Sequence, residues 1–192
     1  IRRSLEKRAL FRAPGGRQFT IDLSTSPAVG CTQAKLKVVA YLCARCPYCS
    51  KLFPALYTEV TKGTLAGRVA LHVRLFPIKG HPGSAEANRA IVAAGRLGKG
   101  WEYLLHAYRS FDRFSFDALP QWASDVGLDR AAFDAVVADP ATNAQLVDSK
   151  KEGLRNGVES TPTLFINGVK YTGDLDIETI RDVLEEMLEG TP

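Results

Sequence analysis

An α/β fold, in which a mixed sheet is flanked by helices and carries an inserted helical block, follows from three observations. A strand–helix–strand run occupies Lys35 to Phe76. A hairpin and a helix occupy Thr163 to Leu188. Between them, Ser84 to Asn156 is alanine-rich with helical spacing throughout. Strands joined through helices need crossovers, and crossovers lay helices on the faces of a sheet. The chain has 192 residues, 45% of them hydrophobic, which suits one good core and is too little for two full-sized domains.

Residues Arg17 to Leu23 alternate loosely and predict a first strand, with Gly30 and Cys31 in a loop after it. Lys35 to Leu42 (K-L-K-V-V-A-Y-L) becomes continuously apolar toward its end, the texture of a central strand buried on both faces. Ser50 to Lys62 places Phe53, Leu56, Tyr57 and Val60 at helical spacing, with Gly63 as the stop and Pro54 as an interior break that removes a backbone donor. Val69, Leu71, Val73 and Leu75 alternate through a strand from Arg68 to Phe76.

Ser84 reads as the N-cap of a helix through Leu97. Trp101, Leu104, Leu105 and Tyr108 mark a second helix, Leu119, Trp122, Ala123 and Val126 a third, and Phe133, Val136 and Val137 a fourth. A fifth runs from Pro140 to Arg155 and ends at Asn156-Gly157. Thr163 to Ile166 and Val169 to Thr172 form a hairpin about Asn167-Gly168. Ile177, Ile180, Val183, Leu184, Met187 and Leu188 give a final amphipathic helix capped by Asp174 or Asp176.

The formal net charge is +4. Arg2, Arg3, Lys7, Arg8, Arg12 and Arg17 face only Glu6, so residues 1–18 read as a basic arm or linker and 19–192 as the folded domain, with its helical insertion at about 84–157. The remainder is near neutral and carries no nucleic-acid footprint. No apolar run reaches membrane-spanning length. A chain that starts at Ile1 reads as a processed or trimmed product, with any signal or anchor not present in it.

Cys46-Pro47-Tyr48-Cys49 lies where an apolar strand meets a helix start. Two cysteines at that spacing can close a small disulfide loop. The free N–H groups and dipole of the first turn stabilise a thiolate on the first of them. Cys46 is therefore the candidate nucleophile, presented to solvent, and Cys49 the less exposed resolving thiol. Pro47, Tyr48 and Arg45 complete the active-site loop, with Arg45 able to add positive charge. The redox-active pair is itself the working group, with no cofactor and no metal expected. Thr161-Pro162 opens the later strand, where proline is tolerated and a cis bond would turn the backbone toward the cysteines.

These segments resemble the DsbA-like branch of the thioredoxin superfamily, which also includes disulfide isomerase-related proteins. The resemblance runs from about Ala28 to Leu188. It rests on Cys46-Pro47-Tyr48-Cys49 with Pro54 downstream, the run Ser84 to Leu105, Val126-Gly127-Leu128-Asp129 before Phe133, and Gly157-Val158-Glu159-Ser160-Thr161-Pro162-Thr163-Leu164-Phe165-Ile166-Asn167-Gly168. It implies a thioredoxin fold with the family's inserted helical domain, and a cis Thr161-Pro162 bond facing Cys46 for substrate binding. It further implies unfolded or partly folded protein substrates, a redox partner protein that is a candidate for membrane attachment, and a bacterial periplasmic or secreted location.

Two departures qualify what the resemblance implies. The family's buried strand acid, six positions before the nucleophile, is Ala40 here, which leaves the proton route to other groups such as water. The strongly oxidising members carry His where this chain has Tyr48. That predicts a higher Cys46 pKa than theirs and an ordinary thioredoxin-like potential. Cys43 and Cys31 leave three readings open: a structural Cys31–Cys43 disulfide, a buried free Cys43 thiol, or a Cys43 that exchanges with the pair or helps bind metal. The leading function is a thiol–disulfide oxidoreductase acting as a dithiol oxidase. The rivals are a disulfide isomerase or reductase, and a cysteine-based metal-binding module.

Overall fold

The computed structural model describes residues 16–190. Its strands are β1 (Ala28–Gly30), β2 (Leu36–Leu42), β3 (Val69–Leu75), β4 (Thr163–Ile166) and β5 (Val169–Lys170). Its helices are α1 (Pro47–Lys62), α2 (Ser84–Arg96), α3 (Gly100–Arg109), α4 (Ala118–Asp125), α5 (Arg130–Ala138), α6 (Pro140–Arg155) and α7 (Ile177–Glu189), with one 3₁₀ turn at Phe111–Arg113. The strands form one mixed sheet in the order β1-β3-β2-β4-β5. Strand β1 runs antiparallel to β3, and β5 antiparallel to β4. The chain divides into two compact units, one drawn from Ile1–Ala40, Ala55–Val73 and Thr163–Pro192, the other from Tyr41–Pro54 and Arg74–Pro162.

The first unit carries most of the sheet. Val38, Val39, Val69, Leu71, Leu164 and Phe165 are all buried, as a two-sided core strand requires. The hairpin turn works because Asn167 (φ 48°) and Gly168 (φ 82°) both take the left-handed conformation that a two-residue turn demands. Asp176 caps α7 by accepting the Thr179 amide at 2.8 Å.

Two sequence expectations fail in this unit. Arg17 to Leu23 is not a strand. Only Gln18 bridges to Val169, and the Asp22 side chain accepts the Ser24 amide at 2.9 Å, a local turn that competes with strand pairing. The first strand lies instead at Ala28–Gly30, so Gly30 belongs to the sheet rather than to a loop. Residues 1–15 of the basic arm lie outside the described residues, whereas Arg17 sits 4.9 Å from the centre of the Phe19 ring and the Phe19 amide bonds Gly168 at 2.7 Å.

The second unit is the helical block. Helix α2 packs against α3, α4, α5 and α6. Its Ala87, Ala90, Ala93 and Ala94 are buried, and such small side chains let several neighbours approach one helix. Tyr103 stacks on Phe133 at 5.7 Å, and the Tyr103 hydroxyl donates to the Leu119 carbonyl at 2.9 Å. A buried ion pair, Arg74–Glu152 at 3.0 Å, also receives the Tyr41 hydroxyl at 2.8 Å, so neither charge is left bare. Ser84 is the first residue of α2 rather than its cap. Gly83 precedes it in a left-handed conformation, and the Ser84 hydroxyl is used elsewhere.

Candidate active site

The end of β2 runs into a turn at Cys43-Ala44-Arg45, closed by the Cys46 amide donating to the Cys43 carbonyl at 3.1 Å. Helix α1 begins at Pro47, three residues earlier than the apolar spacing predicts. Proline suits a first helical position, where its missing N–H has no intrahelical partner to lose. Cys46 thereby becomes the N-cap residue. A cap side chain accepts from the second and third helical amides, which here belong to Tyr48 and Cys49. Both amides act in that direction, lowering the pKa of the Cys46 thiol.

The consequence is a thiol held down to about pKa 5. The hydrogen bond from the Cys49 thiol contributes most. Burial opposes it, and the two helix amides reinforce it. A value of about 5 lies between roughly 7 for thioredoxin and roughly 3.5 for DsbA. Cys49 moves the opposite way. Burial pushes its thiol far up, and the hydrogen bond and charge of Cys46 add to the rise.

Cys46 is not presented to solvent. It is 1% exposed against 0% for Cys49, while Tyr48 between them is 73% exposed. The reason is the Thr161-Pro162 segment, itself buried, whose Thr161 carbonyl lies 3.2 Å from Cys46 Sγ. The Thr161–Pro162 peptide bond is cis.

Arg45 does not serve Cys46. Its guanidinium donates to the Phe111 carbonyl at 2.8 Å and lies 4.4 Å and 4.0 Å from the centres of the Phe111 and Phe114 rings. That cation–π seat turns the charge away, and Arg45 is not among the groups that lower the Cys46 pKa.

The structure holds all four cysteines, Cys31 and Cys43 among them, as free thiols. Cys43 is buried, with Sγ 3.1 Å from Ser84 Oγ, 3.5 Å from His81 Nδ1 and 3.7 Å from the donating Asn88 amide. Cys31 follows β1, its amide bonded to the Val69 carbonyl at 3.0 Å. Among the described residues no three His, Cys, Asp or Glu side chains group to hold a metal ion.

Sequence reasoning missed the supports of this turn. Asn88, fully buried on α2, accepts the Ala44 amide at 3.2 Å and donates to the Ser84 carbonyl at 2.7 Å. The Tyr108 hydroxyl donates to the Cys43 carbonyl at 3.2 Å. A polar residue inside an alanine-rich apolar stripe was the available signal for Asn88. Tyr108 was visible only as one of the residues that mark the block's second helix.

A family model described as Thioredoxin matches residues 22–186. Among curated proteins, a Na(+)/H(+) antiporter NhaA 1 of Salinispora arenicola is 30% identical over 173 residues, 89% of this chain and 26% of its own length. The NhaA 1 antiporter of Mycolicibacterium vanbaalenii is 27% identical over 155 residues, 79% of this chain and 25% of its own. The chain thus spans about a quarter of the length of the curated relatives it matches. Among solved structures, oxidised BdbD from Bacillus subtilis superposes with a TM-score of 0.76 at 16% identity, covering 91% of this chain and 99% of that one. Alpha-DsbA1 of Wolbachia pipientis gives 0.74 at 19%, covering 88% and 94%. A thioredoxin-like oxidoreductase from Silicibacter pomeroyi gives 0.73 at 22%, covering 88% and 95%. At these identities the likeness is one of fold.

Proposed function

The chain belongs to the thioredoxin family, and on that premise we propose that it is a DsbA-like thiol–disulfide oxidoreductase, acting as a dithiol oxidase through Cys46 and Cys49. The observation that carries this reading is the opposed tuning of the two thiols. Cys46 is held down to about 5 while Cys49 is pushed far up. A substrate thiolate attacks Cys46 of the oxidised pair, the Cys46–Cys49 bond breaks, and its electron pair goes to Cys49, which then takes a proton. A second substrate thiolate attacks the substrate sulfur of the mixed disulfide, and Cys46 departs as thiolate. A leaving group of low pKa departs fast, which favours release of an oxidised substrate. The step needs no cofactor besides the pair.

The substrates in this reading are unfolded or partly folded secreted or periplasmic proteins, docked as extended chain on the Thr161 backbone beside Pro162. The two electrons pass on to a redox partner protein. The antiporter relatives, which resemble this chain over a quarter of their length, support a partner at a membrane. Tyr48, uncharged and exposed, favours a second reading as reductase or isomerase.

The reduction potential of the pair separates the two. The oxidase reading expects a value between about −270 mV and about −120 mV, those of thioredoxin and DsbA. A potential at or below the thioredoxin value selects the reductase. Cys46→Ser is expected to abolish both insulin reduction and peptide oxidation, and survival of both activities overturns the assignment.

A further inference from the structure

The turn that delivers Cys46 hangs on one buried peptide group. The Cys43–Ala44 unit has its carbonyl on Cys43 and its N–H on Ala44, and a planar trans peptide points the two in opposite directions. Cys43 and Ala44 are both buried, so each group needs a partner from the protein. The Tyr108 hydroxyl on α3 donates to the carbonyl at 3.2 Å, and the Asn88 side-chain oxygen on α2 accepts the N–H at 3.2 Å. The Asn88 amide is fixed in its own orientation, because its NH2 group donates to the Ser84 carbonyl at 2.7 Å. Asn88 and Tyr108 are themselves buried, and α2 packs against α3, so both ends of the peptide are held from braced elements. The gripped carbonyl has a second task. It accepts the Cys46 amide at 3.1 Å, which fills its other lone pair. On the far side, the Cys46 carbonyl accepts the Ser50 amide at 3.1 Å, as an N-cap carbonyl does. Cys46 is thus fixed through its N–H by the peptide and through its C=O by the helix.

We propose that Asn88 and Tyr108 are positioning residues for Cys46, gripping the Cys43–Ala44 peptide group at its two ends so that it cannot rotate and release Cys46 from the start of α1. The role of Cys46 as nucleophile rests on the oxidoreductase reading above, whereas the grip belongs to the turn alone. Each residue acts through the turn. If the peptide plane rotates, the Cys46 amide loses its acceptor, and only the helix side still holds the residue. A lock of this kind needs both ends. Freeing either one lets the plane rotate, so the second loss adds little to the first.

Asn88→Leu removes the acceptor and Tyr108→Phe removes the donor. Neither changes a charge, so a change at Cys46 reports its placement. Each is expected to raise the midpoint of Cys46 alkylation in the reduced protein by about one pH unit, and the double variant by about one unit rather than about two. Hydrogen exchange followed by NMR is expected to show slow Ala44 and Cys46 amides in the unaltered protein, and exchange of both that is about tenfold faster in each variant. Midpoints unmoved in both variants overturn the inference, as does a shift in one alone or a double shift equal to the sum of the two. Tyr108→Phe keeps the ring, and with the amide rates it decides the matter if Asn88→Leu does not fold. An Ala44 amide that exchanges as fast as an open loop in the unaltered protein overturns the inference without any variant. A protein that exchanges no disulfides sinks the functional reading alone, because the alkylation midpoints and amide rates still decide the grip.

Discussion

At the scale of single residues, position along one helical turn separates two chemically identical thiols. Cys46 stands before the helix, where the Cys49 thiol and the amides of Tyr48 and Cys49 hold its pKa down. Cys49 stands one turn in, where burial dominates. Iodoacetamide alkylation of the reduced protein, followed by mass mapping, is expected to give Cys46 a midpoint of about 5, with Cys49 unreactive through neutral pH. A Cys46 midpoint near 8.5, the value of an unperturbed thiol, would remove the N-cap argument. The pair, its loop and Thr161-Pro162 were legible because their signals are local in sequence. Asn88, Ser84, His81 and Tyr108 were not. Each reaches the cysteine turn across at least 38 residues of chain, and no spacing rule links a helix-borne amide to a turn in another element.

At the scale of elements, α6 shows how packing overrides propensity. Gly153 lies inside that helix, where replacing it by alanine ordinarily gains about 1 kcal/mol. Here a Cβ would stand 2.6 Å from Phe76 Cδ2 and 3.1 Å from Tyr41 Cε1. Neither ring can retreat freely. Phe76 is 1% exposed and meets Tyr41 edge-on at 6.3 Å, and the Tyr41 hydroxyl is bonded to Glu152 at 2.8 Å. Overpacking costs roughly 1–3 kcal/mol. The balance points to a net loss of about 1 kcal/mol for Gly153→Ala, read as a fall of a few degrees in Tm. An unchanged or raised Tm would mean that the rings yield. The helices themselves were readable from their 3.6-residue period. What periodicity misplaced were the short pieces: a three-residue β1, and an apparent strand at residues 17–23 undone by one aspartate side chain. Pairing partners decide such pieces, and a single chain segment does not announce its partner.

At the scale of the whole molecule, the two thiols tie redox state to stability. The Cys46 pKa is depressed in the folded reduced protein, so its contribution is fully present above the unfolded value of about 8.5 and is lost as pH falls through about 5. The Cys49 pKa is raised, so its contribution is fully present below about 8.5 and is lost as pH climbs toward its folded value. The oxidised protein has neither thiol and serves as the reference. Stability of the reduced form relative to the oxidised form should therefore climb from about pH 5 to about pH 8.5 and decline beyond it. Thermal melts of both forms across pH 4 to 10 measure that difference, and a difference independent of pH would contradict the opposed tuning. The same difference sets oxidising power, since a fold that stabilises its dithiol is one that takes electrons readily. A weak oxidant with a strongly pH-dependent difference, or a strong oxidant with none, would break the link between the Cys46 cap and the potential. Agreement between melts and potential would place the driving force for substrate oxidation in the first turn of α1.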